Sequence, residues 1–90
     1  MPATSRFPRY KVKDSVIIEA IQRKDEPMSQ MQITEFVPES HRVETDDTLE
    51  VDTQDWIWDV VNFGDFILKD KYGNLVVMDA ETFLKGYEPI

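Results

Sequence analysis

Carboxylates are the groups in this sequence whose number and spacing could do chemistry. Residues 35–65 carry ten of them against one base, Arg42, and the whole chain has a net charge of −8 at pH 7. Two carboxylates that face each other across a cleft at about 5 to 10 Å could hydrolyse a glycoside. A cluster of them could instead hold Ca²⁺, which prefers oxygen ligands, or could attract a basic protein surface over a distance. The ordinary alternative is that the acids simply cover a solvated face.

Other catalytic groups are scarce, which argues against an enzyme. His41 is the single histidine and there is no cysteine, so a serine nucleophile would have to meet that one imidazole in space. Acids that alternate along a strand are ordinarily its wet face, and ninety residues leave little room for a sugar cleft. The calcium-loop pattern of alternating acids around a central glycine is absent, and the three glycines stand too far apart for a phosphate loop. We therefore predict a non-enzymatic protein with no cofactor and no metal site.

Two tryptophans give the acidic stretch its sharpest functional feature. Trp56 and Trp58 are two residues apart, so on a strand they point the same way, and Asp55 and Asp59 flank them. Core packing is the ordinary explanation for such a pair. The alternative is an exposed aromatic patch rimmed by carboxylates, which resembles a protein-binding hot spot for a basic partner. The predicted partner-binding residues are Glu44, Asp46, Asp47, Glu50, Asp52, Asp55, Trp56, Trp58 and Asp59.

The elements that would position these residues follow from the apolar pattern. Residues 43–45 and 49–51 alternate apolar or β-branched side chains with acids, and Asp46 and Asp47 between them suit a tight turn. This pattern predicts an antiparallel hairpin with one buried face and one acidic face. Residues 56–60 alternate again and predict a further strand.

The flanking segments predict the remaining strands. The run VIIEAI at residues 16–21 is short and β-branched, which predicts a central strand covered on both faces. Residues 66–69 and 75–78 predict a second hairpin after a turn at residues 63–65.

Two short helices are also predicted. Ser29 is the expected N-cap of a two-turn helix that ends at Pro38, with Met28 and Ile33 spaced as a hydrophobic staple. Asp79 is the expected cap of a C-terminal helix that stops at a glycine.

Length and composition set the class of the fold. Ninety residues, 41% of them hydrophobic, support one core and no more. We predict a flexible basic N-terminal arm at residues 1–9 and a single α+β domain at residues 10–90. That domain would be small and β-rich, with a curled antiparallel sheet and one or two short helices. The start lacks the apolar run of a signal peptide and no segment approaches a membrane span of roughly 20 apolar residues, which predicts a cytoplasmic location.

Both ends of the chain resemble a family of small phage and prophage proteins named for a Pro-Gly-Asp-Tyr-Gly signature. The opening YKVK at residues 10–13 runs into VIIEAIQ at residues 16–22, and the close has VNFGDFILK at residues 61–69 and YEPI at residues 87–90. Phe63 and Phe66 stand where the signature has proline and tyrosine. The resemblance implies a phage or prophage origin and a similar fold, and it leaves the activity open.

Three functional hypotheses remain. The first is a non-enzymatic binding protein whose acidic, nucleic-acid-mimicking face inhibits a host defence or nucleic-acid-handling protein in the host cytoplasm. The second is a virion structural or assembly component that self-associates, basic arm to acidic face. The third is a small-molecule sponge with its pocket inside the curled sheet. Because of the net charge, we predict no direct partner among nucleic acids or membranes.

Overall fold

The computed structural model describes residues 7–12, 17–45, 48–54 and 57–89. These ranges form strands, two α-helices and a 3-10 turn at Glu39–His41. The helices are α1 (Pro27–Phe36) and α2 (Ala80–Gly86). The strands are β1 (Arg9–Val12), β2 (Ile17–Gln22), β3 (Arg42–Glu44), β4 (Leu49–Gln54), β5 (Ile57–Val60), β6 (Phe66–Lys69), β7 (Leu75–Met78) and β8 (Tyr87–Pro89).

The strands lie in two antiparallel sheets. The first sheet has the order β7-β6-β2-β1-β8 and the second has the order β3-β4-β5. The predicted α+β, β-rich class is confirmed, and β2 is the central strand of the larger sheet. The strands do not share one curled sheet, because β6 pairs with β2, with Leu68 opposite Ala20, rather than with β5. The buried Val61 begins the connection that carries the chain from the second sheet to the first.

The hydrophobic core has two parts because the middle of the first sheet is covered on both faces. Ile21 and Ile67 point into one cluster, where they meet α1 and the buried side of β4. Ala20 and Leu68 point into the other cluster, which packs around Phe83 of α2. Strands buried on both faces read as continuous apolar runs, which is the pattern that predicted β2.

The start of α1 corrects a prediction. The helix begins at Pro27, with Glu26 as N-cap and no side-chain cap, so the expected cap at Ser29 is wrong. Proline suits the first helical position because its missing N–H would have no partner there. Ser29 is buried instead, where its hydroxyl accepts from the Lys24 N–H at 2.8 Å and donates to the Gln22 carbonyl at 3.2 Å.

The hydrophobic staple is also absent, because Met28 is 64% exposed. The predicted end of α1 before Pro38 is confirmed, and cations from both sheets bind its last carbonyls. Lys69 of β6 donates to the Phe36 carbonyl, and Arg42 of β3 donates to the Val37 carbonyl at 2.8 Å. The two cations stabilise the negative end of the helix dipole and connect the helix to each sheet.

The C-terminal helix follows its prediction closely. The Asp79 carboxylate caps α2 by accepting the Thr82 N–H at 3.1 Å. Phe83 is fully buried and stacks between Phe66 and Tyr87, with ring centroids 4.1 Å and 4.8 Å away. None of the helices in the described ranges is long and apolar enough to cross a membrane.

Candidate functional site

The candidate site is the face of the second sheet that points away from the core. Leu49 and Val51 of β4 are buried. Glu50 and Asp52 alternate with them along the strand and therefore point to the opposite side. Cross-strand partners share a face, and the register sets three further side chains beside these two acids. We call this set the outer face; it comprises Val43, Glu50, Asp52, Trp58 and Val60.

The outer face mixes acidic and apolar groups in rows that run across the strands. In one row, Glu50 stands between Val43 and Val60, which are 45% and 49% exposed. In the next row, Asp52 lies opposite Trp58, and both side chains are partly exposed. A solvated sheet face would be expected to carry polar side chains, so the two exposed valines and the partly exposed tryptophan are the unusual feature.

The structure also answers part of the question about the tryptophans. Trp58 lies on the outer face and belongs to neither core cluster. Trp56, together with Asp46, Asp47 and Asp55, lies outside the described residues.

The remaining two predicted residues lie on the other side of the sheet. Glu44 is opposite the buried Leu49, and Asp59 is opposite the buried Val51. Glu44 has local partners, because Gln30 Nε2 donates to its Oε2 at 2.8 Å and Arg42 Nε lies 3.4 Å from its Oε1. The register therefore brings Glu50, Asp52 and Trp58 together and separates them from Glu44 and Asp59.

Asp59 is exposed and its carboxylate is held in place. Thr53 Oγ1 donates to Asp59 Oδ2 at 3.1 Å and also lies 3.3 Å from the Ile57 carbonyl oxygen. A register shift between Asp52 and Gln54 marks an irregularity in β4 at this point. Such irregularities commonly re-aim side chains at the rim of a sheet, and Thr53 lies within this one.

A cavity that sequence reasoning missed opens on the core side of the same sheet. It has a volume of about 400 Å³ and lies between the start of α1, the β3–β4 hairpin and Phe63. Its charged lining is mixed, with Arg23 and Lys24 beside Glu26 and Glu44. The only sequence signal for it is the run RKDE at residues 23–26, which resembles an ordinary charged turn.

Arg23 is the residue that joins this cavity to the second sheet. Its side chain is buried, and its Nη1 donates to the Val61 carbonyl at 2.6 Å. Its guanidinium carbon lies 4.1 Å from the centroid of the Phe63 ring. The Arg23 backbone also binds the 63–65 turn, accepting from the Gly64 N–H at 2.7 Å and donating to the Asp65 carbonyl at 2.8 Å.

Other groups with chemical potential are isolated. The Ser40 hydroxyl lies 2.8 Å from His41 Nδ1, but both residues are exposed and are neighbours in the chain. A triad needs a third group to orient the imidazole, and the contacts of these two residues supply none in the described part of the chain. Within that same part, no group of three or more histidine or carboxylate side chains is arranged to hold a metal ion.

Comparison with known proteins found no matching family model, no matching curated protein and no matching solved structure. The chemistry of the outer face is therefore the main indication of function.

Proposed function

We propose that this protein is a non-enzymatic binding protein that holds a basic surface of a host protein on its outer face and thereby inhibits that host protein. The observation that carries the proposal is the placing of Glu50 and Asp52 among Val43, Trp58 and Val60. A few desolvated anchor residues, tryptophan prominent among them, supply most of the affinity in protein interfaces. Carboxylates supply selectivity for a basic partner and faster association. The resemblance to phage proteins favours a host protein as that partner.

The net charge favours a basic protein over other classes of partner. At −8, the chain repels nucleic acid and anionic lipid and attracts cationic surfaces. Many cationic protein surfaces hold nucleic acid, so nucleic-acid mimicry is the more specific form of the proposal. Glu50 and Asp52 are about 6.7 Å apart along the strand. One DNA strand carries a charge about every 3.4 Å of helix axis, a higher linear charge density than these two acids supply, so mimicry would need further carboxylates.

The proposal is tested by capture of host proteins on immobilised variants at low salt. The double variant Glu50→Gln/Asp52→Asn removes both acids of the outer face, and Glu81→Gln/Glu88→Gln removes the same charge from α2 and β8. Exposed ion pairs contribute about 0.2 to 1 kcal/mol each, so the outer-face variant should bind its partner roughly 2- to 30-fold more weakly. The control should bind as the parent does. Equal binding by all three proteins, or an equal loss in both variants, contradicts a specific role for the outer face.

Two further measurements separate the parts of the proposal. Trp58→Ala should weaken the captured complex by about 30-fold or more if the indole is a hot spot, because such residues contribute about 2 kcal/mol or more. Duplex DNA should displace the protein from its partner if the carboxylates stand in for phosphates. A complex that resists DNA at low salt contradicts mimicry and leaves binding to a basic surface in place.

A further inference from the structure

The strand β5 is an edge of the second sheet, and its outward backbone groups can be identified from the register. The Val61 N–H donates to the Leu49 carbonyl at 2.8 Å, so these two residues form a hydrogen-bonded pair. Such pairs alternate along antiparallel strands, and the next one joins Val51 to Asp59. The N–H and C=O groups of Trp58 and Val60 therefore point away from β4, toward an edge at which no described strand pairs with β5.

The other edges in the described part of the chain are less suited to bind another strand. β8 carries Pro89, which lacks an N–H, and β3 has only three residues. Short strands and prolines are common means by which proteins keep an edge from pairing. β7 is four residues long and wholly apolar, so it has no charged side chain with which to select a partner. β5 combines exposed apolar side chains with one acid, Asp59.

We propose that β5 binds an extended basic segment of the partner protein, which adds to the second sheet as a fourth strand. This inference rests on the proposed function and specifies the form of the partner. A residue of the added strand opposite Asp59 shares its face, so lysine or arginine fits there. Residues opposite Trp58 and Val60 lie over the outer face, where apolar side chains fit. The expected segment thus alternates apolar and basic residues, and strand addition of this kind is a common mode of peptide recognition.

Charge disfavours a second copy of the same chain as the occupant of this edge. An antiparallel pair of β5 strands that used the outward groups of both Trp58 and Val60 would put the two Asp59 carboxylates side by side. Like charges directly opposite each other destabilise a sheet, and each chain also carries a net charge of −8. A basic segment reverses both terms, because its cations would face the Asp59 carboxylate and would be attracted by the negative net charge of the chain.

The test is amide hydrogen exchange of the full chain with a pool of ten-residue peptides that alternate lysine or arginine with valine, isoleucine or tyrosine. Exchange of the Trp58 and Val60 amides should slow on binding, while the Asp59 amide, already bonded to β4, should change little. Val60→Pro removes one outward donor and should weaken binding roughly 2- to 10-fold beyond Val60→Ala, the range that one hydrogen bond represents. Both variants truncate the outer-face side chain, so their difference reports the backbone.

A second measurement keeps the inference testable if Val60→Pro does not fold. Peptides are N-methylated at alternate positions, either on the residues that would face β5 or on the residues between them, and only the first set should lose affinity. Equal affinity of both sets, protection on β7 instead of β5, or no binding by any peptide in the pool overturns the inference. Binding that depends on Glu50 and Asp52 without protection of Trp58 and Val60 overturns strand addition alone and leaves the proposed function standing. Protection of β5 together with unchanged capture by the outer-face variant overturns the proposed role of the outer face and leaves strand addition standing.

Discussion

Replacing Arg23 with methionine should destabilise the protein more than removing a charge from an exposed side chain does. The side chain is buried although it is cationic, and its Nη1 donates to the Val61 carbonyl at 2.6 Å. That carbonyl lies at the point where the chain leaves the second sheet. Methionine fills a similar volume but supplies neither the donor for this carbonyl nor a cation over Phe63, so the substitution tests these two contacts rather than the filled volume.

The expected loss can be worked from two contacts. A hydrogen bond to a charged group contributes about 1.5 to 3 kcal/mol. The stacking of the Arg23 guanidinium on Phe63 adds about 0.5 to 1 kcal/mol, since Phe63 is itself 57% exposed. Methionine recovers part of this, because it removes the desolvation cost of a buried cation. The net loss should therefore be about 2 to 3 kcal/mol, or roughly 10 to 20 °C in the melting temperature of a domain this small.

Chemical denaturation followed by tryptophan fluorescence measures this loss directly. Lys24→Met is the matched control, because Lys24 is the exposed neighbour and loses the same charge; its effect should stay within about 0.5 kcal/mol. A double-mutant cycle with Phe63→Leu isolates the stacking term. If Arg23→Met and Lys24→Met unfold at the same denaturant concentration, the buried guanidinium does not anchor the second sheet and the reasoning fails.

Three further predictions concern the backbone, a cap and the core. Gly64 has a φ of 96°, so Gly64→Ala should cost about 1 to 2 kcal/mol in thermal unfolding, whereas Gly86→Ala, at an ordinary backbone conformation, should be neutral or stabilising. The side-chain and backbone hydrogen bonds that Asp79 accepts from Thr82 lower the pKa of its carboxyl below the ordinary 3.8. Its contribution to stability is therefore complete above pH 3.8 and lost as the pH falls through the lower folded pKa; Asp79→Ala should abolish that part of the acid dependence in a pH series of melts. Phe83→Ala should cost about 3 to 5 kcal/mol in urea denaturation, because the ring is fully buried between two stacked aromatics; a loss below 1 kcal/mol would contradict that packing.

Strands β2 to β7 were predictable because short-range signals specify them, whereas β1 and β8 were not predicted. The β-branched run of β2 and the turn at Gly64 both give the structure that their residue types favour. The β3–β4 hairpin forms where the alternating pattern predicted it, with Val43 opposite Glu50. Each of these depends on residues within one element or its turn, so no long-range information was needed.

The division into two sheets was not predictable in the same way. It depends on whether β6 pairs with β5, its neighbour in the chain, or with β2, more than forty residues earlier. The prediction for the start of α1 was wrong for a related reason. The Ser29 hydroxyl could bond either its own helix or the end of a neighbouring strand, and the local sequence does not distinguish the two. As a cap it would bind its own helix, but here it bonds Gln22 and Lys24 at the end of β2, a tertiary choice that outweighs the local one.

The distribution of the acids shows most clearly what composition omits. Residues 35–65 carry ten carboxylates, but a strand sends successive side chains to opposite faces, so their number does not give the charge of either face. The register alone decides that Glu50 and Asp52 stand with Trp58 while Glu44 and Asp59 lie beside buried residues. A shift of one residue in the pairing of β4 would turn Glu50 and Asp52 toward the core and would expose Leu49 and Val51. Any binding activity of the outer face must therefore depend on the burial of Leu49 and Val51, and a substitution that loosens these two residues should reduce partner capture without touching a carboxylate.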